Sequence, residues 1–367
     1  MKVLVINHPE ADFGGAFIYN GLCELLGAEN VYDYPIKYSY HGVDHKYSTP
    51  SIENGFTSPF PWMPQHAVAW SAEAQADHTV LCEEMRRMIL SGQFDLCLVE
   101  SCRVIAMTSF LRFEKELRSA NTPLVLHEGE DFHELCTREI NIVKPRLHLK
   151  REMRASNPQR MDDVSIIPFP FSFPDCAKVR EMLANSDGGL HWDVTLMCGS
   201  TWPEREDALR ALSTGVGSAT RTLLASDKPD KFGESTINNL MPWVLYMRNT
   251  ARSKMGVSIR GYGHDTCRFW EVAATTLLLT GPLDLVIPFP YEHGVNCLKF
   301  GSTSELLSLV EQFSKSENDA RLAELRTACM EHTRDFHTNA KRVEWMLGHA
   351  GLTDKLTEHL HVRTNAS

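Results

Sequence analysis

Arg260, Gly261, Gly263, Asp265, Thr266, Arg268 and Glu271 crowd one short stretch, Arg260-Gly-Tyr-Gly-His-Asp-Thr-Cys-Arg-Phe-Trp-Glu271. An apolar run (Met255, Val257, Ile259) leads into it, and a helix start follows it, with Asp265 or Thr266 as N-cap. Strand, glycine turn and helix N-terminus together offer backbone N–H groups to phosphate oxygens. Arg268 would add a guanidinium there, and Glu271 is spaced to accept hydrogen bonds from a sugar hydroxyl. Taken alone, Gly-x-Gly is an incomplete dinucleotide fingerprint. Arg268 and Glu271 are also placed to pair with each other on one helix. Gly199 and Arg205, just after an earlier apolar run, are expected to face the same ligand, although Glu204 and Glu206 offer Arg205 a salt bridge instead.

Two other clusters could move a proton. Asn7-His-Pro-Glu-Ala-Asp-Phe-Gly-Gly15 follows the opening apolar run, and His8 or Asp12 is a candidate general base there. His127-Glu-Gly-Glu-Asp-Phe-His-Glu134 is the richest titratable patch, and Glu130 and Asp131 are its candidate bases. Metal binding by the same patch stays open, although the spacing fits no standard zinc pattern, and so does a purely structural acidic dressing of a helix start. No metal ligand set is assigned. No Gly-x-Ser-x-Gly elbow, phosphate-binding Walker loop or His-Glu-x-x-His helix occurs, so hydrolase, kinase and zinc-protease readings lack support.

The elements that must position these groups alternate. Val3–Ile6, Phe94–Val99, Pro123–Leu126, residues 147–149 and residues 164–167 read as short buried strands, with helices over 16–27, 80–90 and 105–117. Such alternation implies a parallel sheet with helices on both faces. The proline-punctuated Pro168-Phe-Pro-Phe-Ser-Phe-Pro174 marks the approach to a boundary. The pattern then restarts at Asp193–Cys198, with helices at 204–212 and 242–250 and a strand at 222–225. Apolar runs at 277–279 and 285–287 follow the Arg260 stretch, and four helices close the chain. Domains are therefore expected at 1–175 and 176–335, with helices in 336–367. Tyr32–Pro64, rich in Tyr, Pro, Ser and His, reads as a long ordered loop over an acceptor site.

Composition limits the function. The 367 residues carry a net charge of −10, which argues against a broad nucleic-acid surface. Hydrophobic residues make up 43%, yet no apolar run approaches the roughly 20 residues that span a bilayer. The ten scattered cysteines include no Cys-x-x-Cys and read as buried thiols in a reducing compartment, so a cytoplasmic location is expected.

The stretch Ser258–Ala274, followed by Glu292, Gly294, Asn296, Phe300 and Ser304-Glu-Leu306, resembles the C-terminal half of GT-B-fold glycosyltransferases of the group-1-like, spore-maturation type. The resemblance implies an α/β fold of two Rossmann-like domains facing across a cleft, with C-terminal helices crossing back to the first. It implies transfer of a sugar from a nucleotide-diphosphate donor, with Arg260, Gly261, Gly263, Thr266 and Arg268 on the diphosphate and Glu271 on ribose or sugar hydroxyls. It implies basic side chains and helix dipoles, rather than a metal or other cofactor, as the countercharge of the leaving group. The acceptor stays open among polysaccharide, lipid, protein and modified nucleic-acid base, and the oligomeric state is not indicated. A non-catalytic nucleotide- or carbohydrate-binding protein, or a nucleotide-sugar epimerase, remains an alternative use of the scaffold.

Overall fold

The computed structural model describes residues 1–9, 12–41, 66–184, 189–199, 202–231, 236–238 and 242–366. They form two compact units: Met1–Pro170 together with Asn339–Ser367, and Phe171–Thr338. Each is built on one six-stranded parallel sheet.

In the first unit the strands are β1 (Val3–Ile6), β2 (Val31–Tyr34), β3 (Leu96–Val99), β4 (Leu124–Glu128), β5 (Leu147–Lys150) and β6 (Ser165–Pro168). Their order is β2-β1-β3-β4-β5-β6. Val3 pairs with Val31 on one side and Leu96 on the other, so β1 lies inside the sheet. β1, β3 and the apolar residues of β4 are buried on both faces, which explains their unbroken apolar runs.

In the second unit the strands are β7 (Trp192–Met197), β8 (Thr222–Ser226), β9 (Thr236–Asn238), β10 (Ser253–Ser258), β11 (Leu277–Thr280) and β12 (Leu298–Lys299). The order is β12-β11-β10-β7-β8-β9. Each sheet therefore reverses its winding once, between β1 and β3 in the first unit and between β7 and β10 in the second. Loops leaving two such strands diverge to opposite faces, opening a crevice at their carboxyl ends where ligands of doubly wound sheets bind.

Several sequence expectations change. Tyr32 belongs to strand β2 rather than to a loop: its ring and that of Tyr34 are buried edge-on against Trp70, Phe94 and Phe113. Aromatics on a pleated surface favour strand, and here that outweighs the turn-rich composition downstream. Residues 42–65, and with them most of the expected acceptor loop, lie outside the described residues. The apolar run at 285–287 lies outside the sheet, whose edge is the short β12. Gly14 and Gly15 lie in the first turn of the Phe13–Leu26 helix, not in a loop before it.

The last helices, Asn339–His349 and Thr353–Ala366, belong to the first unit. Asn339–His349 packs closely on Phe13–Leu26: a Cβ at Gly21 would sit 2.5 Å from the Asn339 carbonyl oxygen and 2.7 Å from Val343 Cγ2. No described helix is long and apolar enough to cross a membrane.

Candidate functional site

In the second unit, the switch point gathers the residues expected to bind a diphosphate. The Pro203–Thr214 helix follows β7 and carries Arg205 inward. Its guanidinium ties the two strand ends together. Nε and Nη2 donate to the Ile259 carbonyl (3.3 and 3.2 Å), and Nη1 donates to that of Gly199 (3.4 Å). Burial pulls the Arg205 pKa down, and the nearby Arg268 charge adds to this. Gly261 is glycine for a reason of space, because a Cβ there would lie 2.9 Å from Arg205 Nη2. Its N–H donates to the Gly263 carbonyl at 3.0 Å, closing the turn that brings Arg260 back beside His264. Residues 200 and 201, beside Gly199, lie outside the described residues.

The other two arginines occupy different rings. The Arg260 guanidinium lies over Trp202, 4.9 Å from the ring centroid, and that of Arg268 lies over Tyr246 at 5.4 Å. Arg205, rather than Arg260, is therefore the charged neighbour of Arg268. Arg260 also stands 3.7 Å from Glu204, a partial counterion. Arg260 Nε, Arg268 Nε and Trp202 Nε1 are buried donors with no acceptor among the described residues. Buried donors normally find acceptors.

Two expected ligand contacts are engaged within the protein. Asp265 accepts from the Phe171 backbone N–H (2.6 Å) and from Trp270 Nε1 (2.8 Å), fastening the segment after the Pro170 boundary to the Cys267–Thr275 helix. Thr266 is the N-cap residue of that helix, but its side chain makes no capping bond, so the first-turn N–H groups are not closed by it. Glu271 accepts from Trp243 Nε1 at 2.7 Å, and burial pushes its carboxyl pKa up while Trp243 and Arg268 pull it down. The Arg268 pKa is lowered by burial but, on balance, raised by Tyr246, Cys198 and Glu271.

In the first unit, Asp12 and His127 lie at the carboxyl ends of β1 and β4. Asp12 is the N-cap of the Phe13–Leu26 helix: Oδ1 accepts from Gly14 N–H (2.7 Å) and Gly15 N–H (3.3 Å). His127, at the carboxyl end of β4, donates from Nδ1 to the Glu100 carbonyl at 2.9 Å. A neutral imidazole that donates at Nδ1 keeps its lone pair on Nε2. Burial lowers the His127 pKa, and the Asp12 charge works against that shift. His8 is buried just past β1.

Beneath them lies a buried ion pair. Lys37 donates to Glu100 Oε1 (3.0 Å) and to the Tyr40 hydroxyl (2.9 Å), and that hydroxyl donates to the same carboxylate oxygen (2.9 Å). Burial pushes the Glu100 pKa up, and Lys37 pulls it back.

Glu130 and Asp131, favoured from sequence as bases, sit on arginines. Arg103 donates to Glu130 through Nε (2.7 Å) and Nη2 (3.4 Å), and Arg151 pairs with Asp131. Both carboxylates are thus engaged in ion pairs within the protein. His127 belonged to the same patch, but sequence alone did not set it apart. The usable signal was its position: it falls within the strand, whereas Glu130 and Asp131 fall beyond it.

Among the described residues, Cys102, Glu128 and Cys136 place potential metal-ligand atoms within 4.8 Å of one another. The Glu128 carboxylate is already taken by Lys150, by His148 Nε2 (2.9 Å) and by the Cys136 N–H (3.2 Å). An ammonium bonded to that carboxylate already supplies the positive charge.

No family model and no curated protein matches the sequence. Solved structures do share its fold. The Anabaena protein HepE in complex with UDP superposes with a TM-score of 0.52 at 11% identity, over 95% of this chain and 99% of that one. HepE in complex with UDP-glucose gives 0.51 at 11% identity, over 99% and 100%. The apo structure of OtsA gives 0.53 at 11% identity, over 95% and 99%. At this identity the likeness is one of fold: the chain is an α/β protein of two Rossmann-like units, the GT-B fold.

Proposed function

We propose that this chain is a glycosyltransferase that moves a sugar from a nucleotide-diphosphate donor to a hydroxyl of an acceptor. The observation that carries the reading is the convergence at the second sheet's switch point. Arg205, Arg260 and Arg268 surround Gly199, Gly261 and Gly263, and buried donors of Trp202, Arg260 and Arg268 lack acceptors there among the described residues. Three guanidiniums suit the two charges of a diphosphate and supply countercharge as it leaves, with no metal required. The UDP and UDP-glucose complexes of HepE, a protein of the same fold, support the choice of ligand class.

His127 is the general base of this reading. In an inverting transfer its Nε2 accepts the acceptor's hydroxyl proton while the oxygen attacks the anomeric carbon and the bond to the diphosphate breaks. Asp12 is the nearby carboxylate that stabilises the imidazolium. The test is release of nucleoside diphosphate from a panel of nucleotide sugars, with and without candidate acceptors. Turnover of one donor supports the reading; binding without any release assigns the scaffold a binding role instead.

A further inference from the structure

Cys102 and Cys136 lie in the segments that follow β3 and β4, outside any helix or strand. Seven of the ten cysteines are buried, whereas these two are only partly so. Their sulfurs lie within 4.8 Å of each other, and the Cys102 thiol donates to the His127 carbonyl at 3.8 Å. Contact with the Cys136 thiol, and after it burial, pushes the Cys102 pKa well above its ordinary value. Metal chelation by this pair with Glu128 is opposed by Lys150, whose ammonium holds that carboxylate and repels a cation. Two thiols within reach of each other and not sealed in the core suit a different chemistry, exchange with a disulfide.

We propose that Cys102 and Cys136 form a dithiol site that reacts with low-molecular-weight disulfides and closes to an internal bond. The Cys136 thiolate attacks one sulfur of the small disulfide, whose S–S bond breaks and releases one thiol. Cys102, which keeps its proton until this point, then attacks the Cys136 sulfur, and that proton passes to the second departing thiolate. The two protein thiols lose two electrons, and the small disulfide is reduced to two thiols. Closure requires sulfurs about 2 Å apart. Neither backbone segment is fixed in a helix or sheet, so side-chain rotation with a shift of the loops can bring them together. The closed bond tethers the start of the Thr137–Val143 helix to the segment after β3 and takes the thiol proton from the His127 carbonyl. This chemistry is independent of sugar transfer.

The probe is oxidised glutathione, added to the full chain under native conditions. Acid quenching, alkylation of the remaining free thiols, digestion and mass spectrometry then map each cysteine. The wild type should form a Cys102–Cys136 bond that reduced glutathione reverses, while the seven buried cysteines stay free. Cys102→Ser should instead accumulate glutathione on Cys136. Cys136→Ser should slow modification of Cys102 by at least about tenfold, because the first attacking thiolate is gone. Thermal midpoints show that each variant is folded, and the wild-type mapping stands without them. Glutathione that persists on wild-type Cys136, no reaction at either thiol, or a Cys102–Cys136 bond that appears only after urea is added would each overturn the proposal.

Discussion

Asp12 and His127 are packed against two glycines. A Cβ at Gly14 would lie 2.7 Å from His127 Cε1 and 3.2 Å from Asp12 Oδ1, and one at Gly129 would lie 2.8 Å from the same carbon and 3.6 Å from Asp12 Oδ2. One carboxylate oxygen caps the helix, and the imidazole is oriented through Nδ1 by the Glu100 carbonyl. In the proposed reaction these bonds fix the proton acceptor and the stabilising charge before substrate arrives.

His127→Ala should lower the transfer rate by about 10²–10⁴-fold, the usual contribution of a general base, and leave nucleoside-diphosphate affinity unchanged. Rate and affinity measured side by side check this. An unaltered rate removes His127 from the mechanism.

The pH dependence has a definite sign. Burial lowers the His127 pKa, so the ring stays neutral and able to accept a proton below the ordinary histidine value of 6.5. The acid limb of the rate profile should lie on the acidic side of 6.5. A limb on the alkaline side, in a profile taken at saturating donor, contradicts the assignment.

Among the described glycines of the first unit, Gly15 is the one where an added Cβ would come closest to another atom. A Cβ there would fall 1.5 Å from Glu100 Oε1 and 2.2 Å from its carboxyl carbon, and that carboxylate is held by Lys37 and Tyr40. Gly15→Ala should cost at least the ~1–3 kcal/mol of an overpacked core. Gly217, where a Cβ meets nothing within 4 Å, is the control and should change stability by no more than about 0.5 kcal/mol on substitution by Ala. Urea midpoints separate the two; equal midpoints would mean that Glu100 moves freely.

Much of the scaffold was legible in the sequence, because a strand buried on both faces must be apolar throughout. β1 and β3, with most of β11, announce themselves in that way. β2 does not, since Asp33 sits inside it, buried and bonded to the Lys37 N–H at 2.6 Å. The site was half legible. The run from Arg260 to Glu271 marks one strand end, but that Arg205 reaches the Ile259 carbonyl depends on β7 lying beside β10, and pairing order leaves no local trace. For the same reason Asp265 resembles a ligand contact until Phe171, distant in sequence, is found on its carboxylate.

His66 should make the first unit acid-sensitive. Burial, with the His41 charge second, pushes its pKa from 6.5 down to about 4. The folded state therefore binds fewer protons than the unfolded chain between these values, and stability falls as pH drops from 6.5 towards about 4. His41 opposes this: burial lowers its pKa, but Asp33 raises it on balance, so its contribution is present at low pH and is lost as pH rises through the raised value. His66→Gln, which keeps a partner for Asn20 Oδ1, should flatten the acid loss. Denaturant midpoints across that range that are identical for both proteins would refute the assignment.

The central claim is a diphosphate site built on Arg268 and its neighbours in the second unit. The most direct measurement is calorimetric titration of the full chain and of Arg268→Ala with nucleotide sugars and their nucleoside diphosphates. The account predicts saturable binding of one nucleotide series, weakened in the variant by about 1.5–3 kcal/mol, the loss of one charge-assisted hydrogen bond. Equal affinity in the two proteins, or no binding by the wild type across the panel, would contradict it.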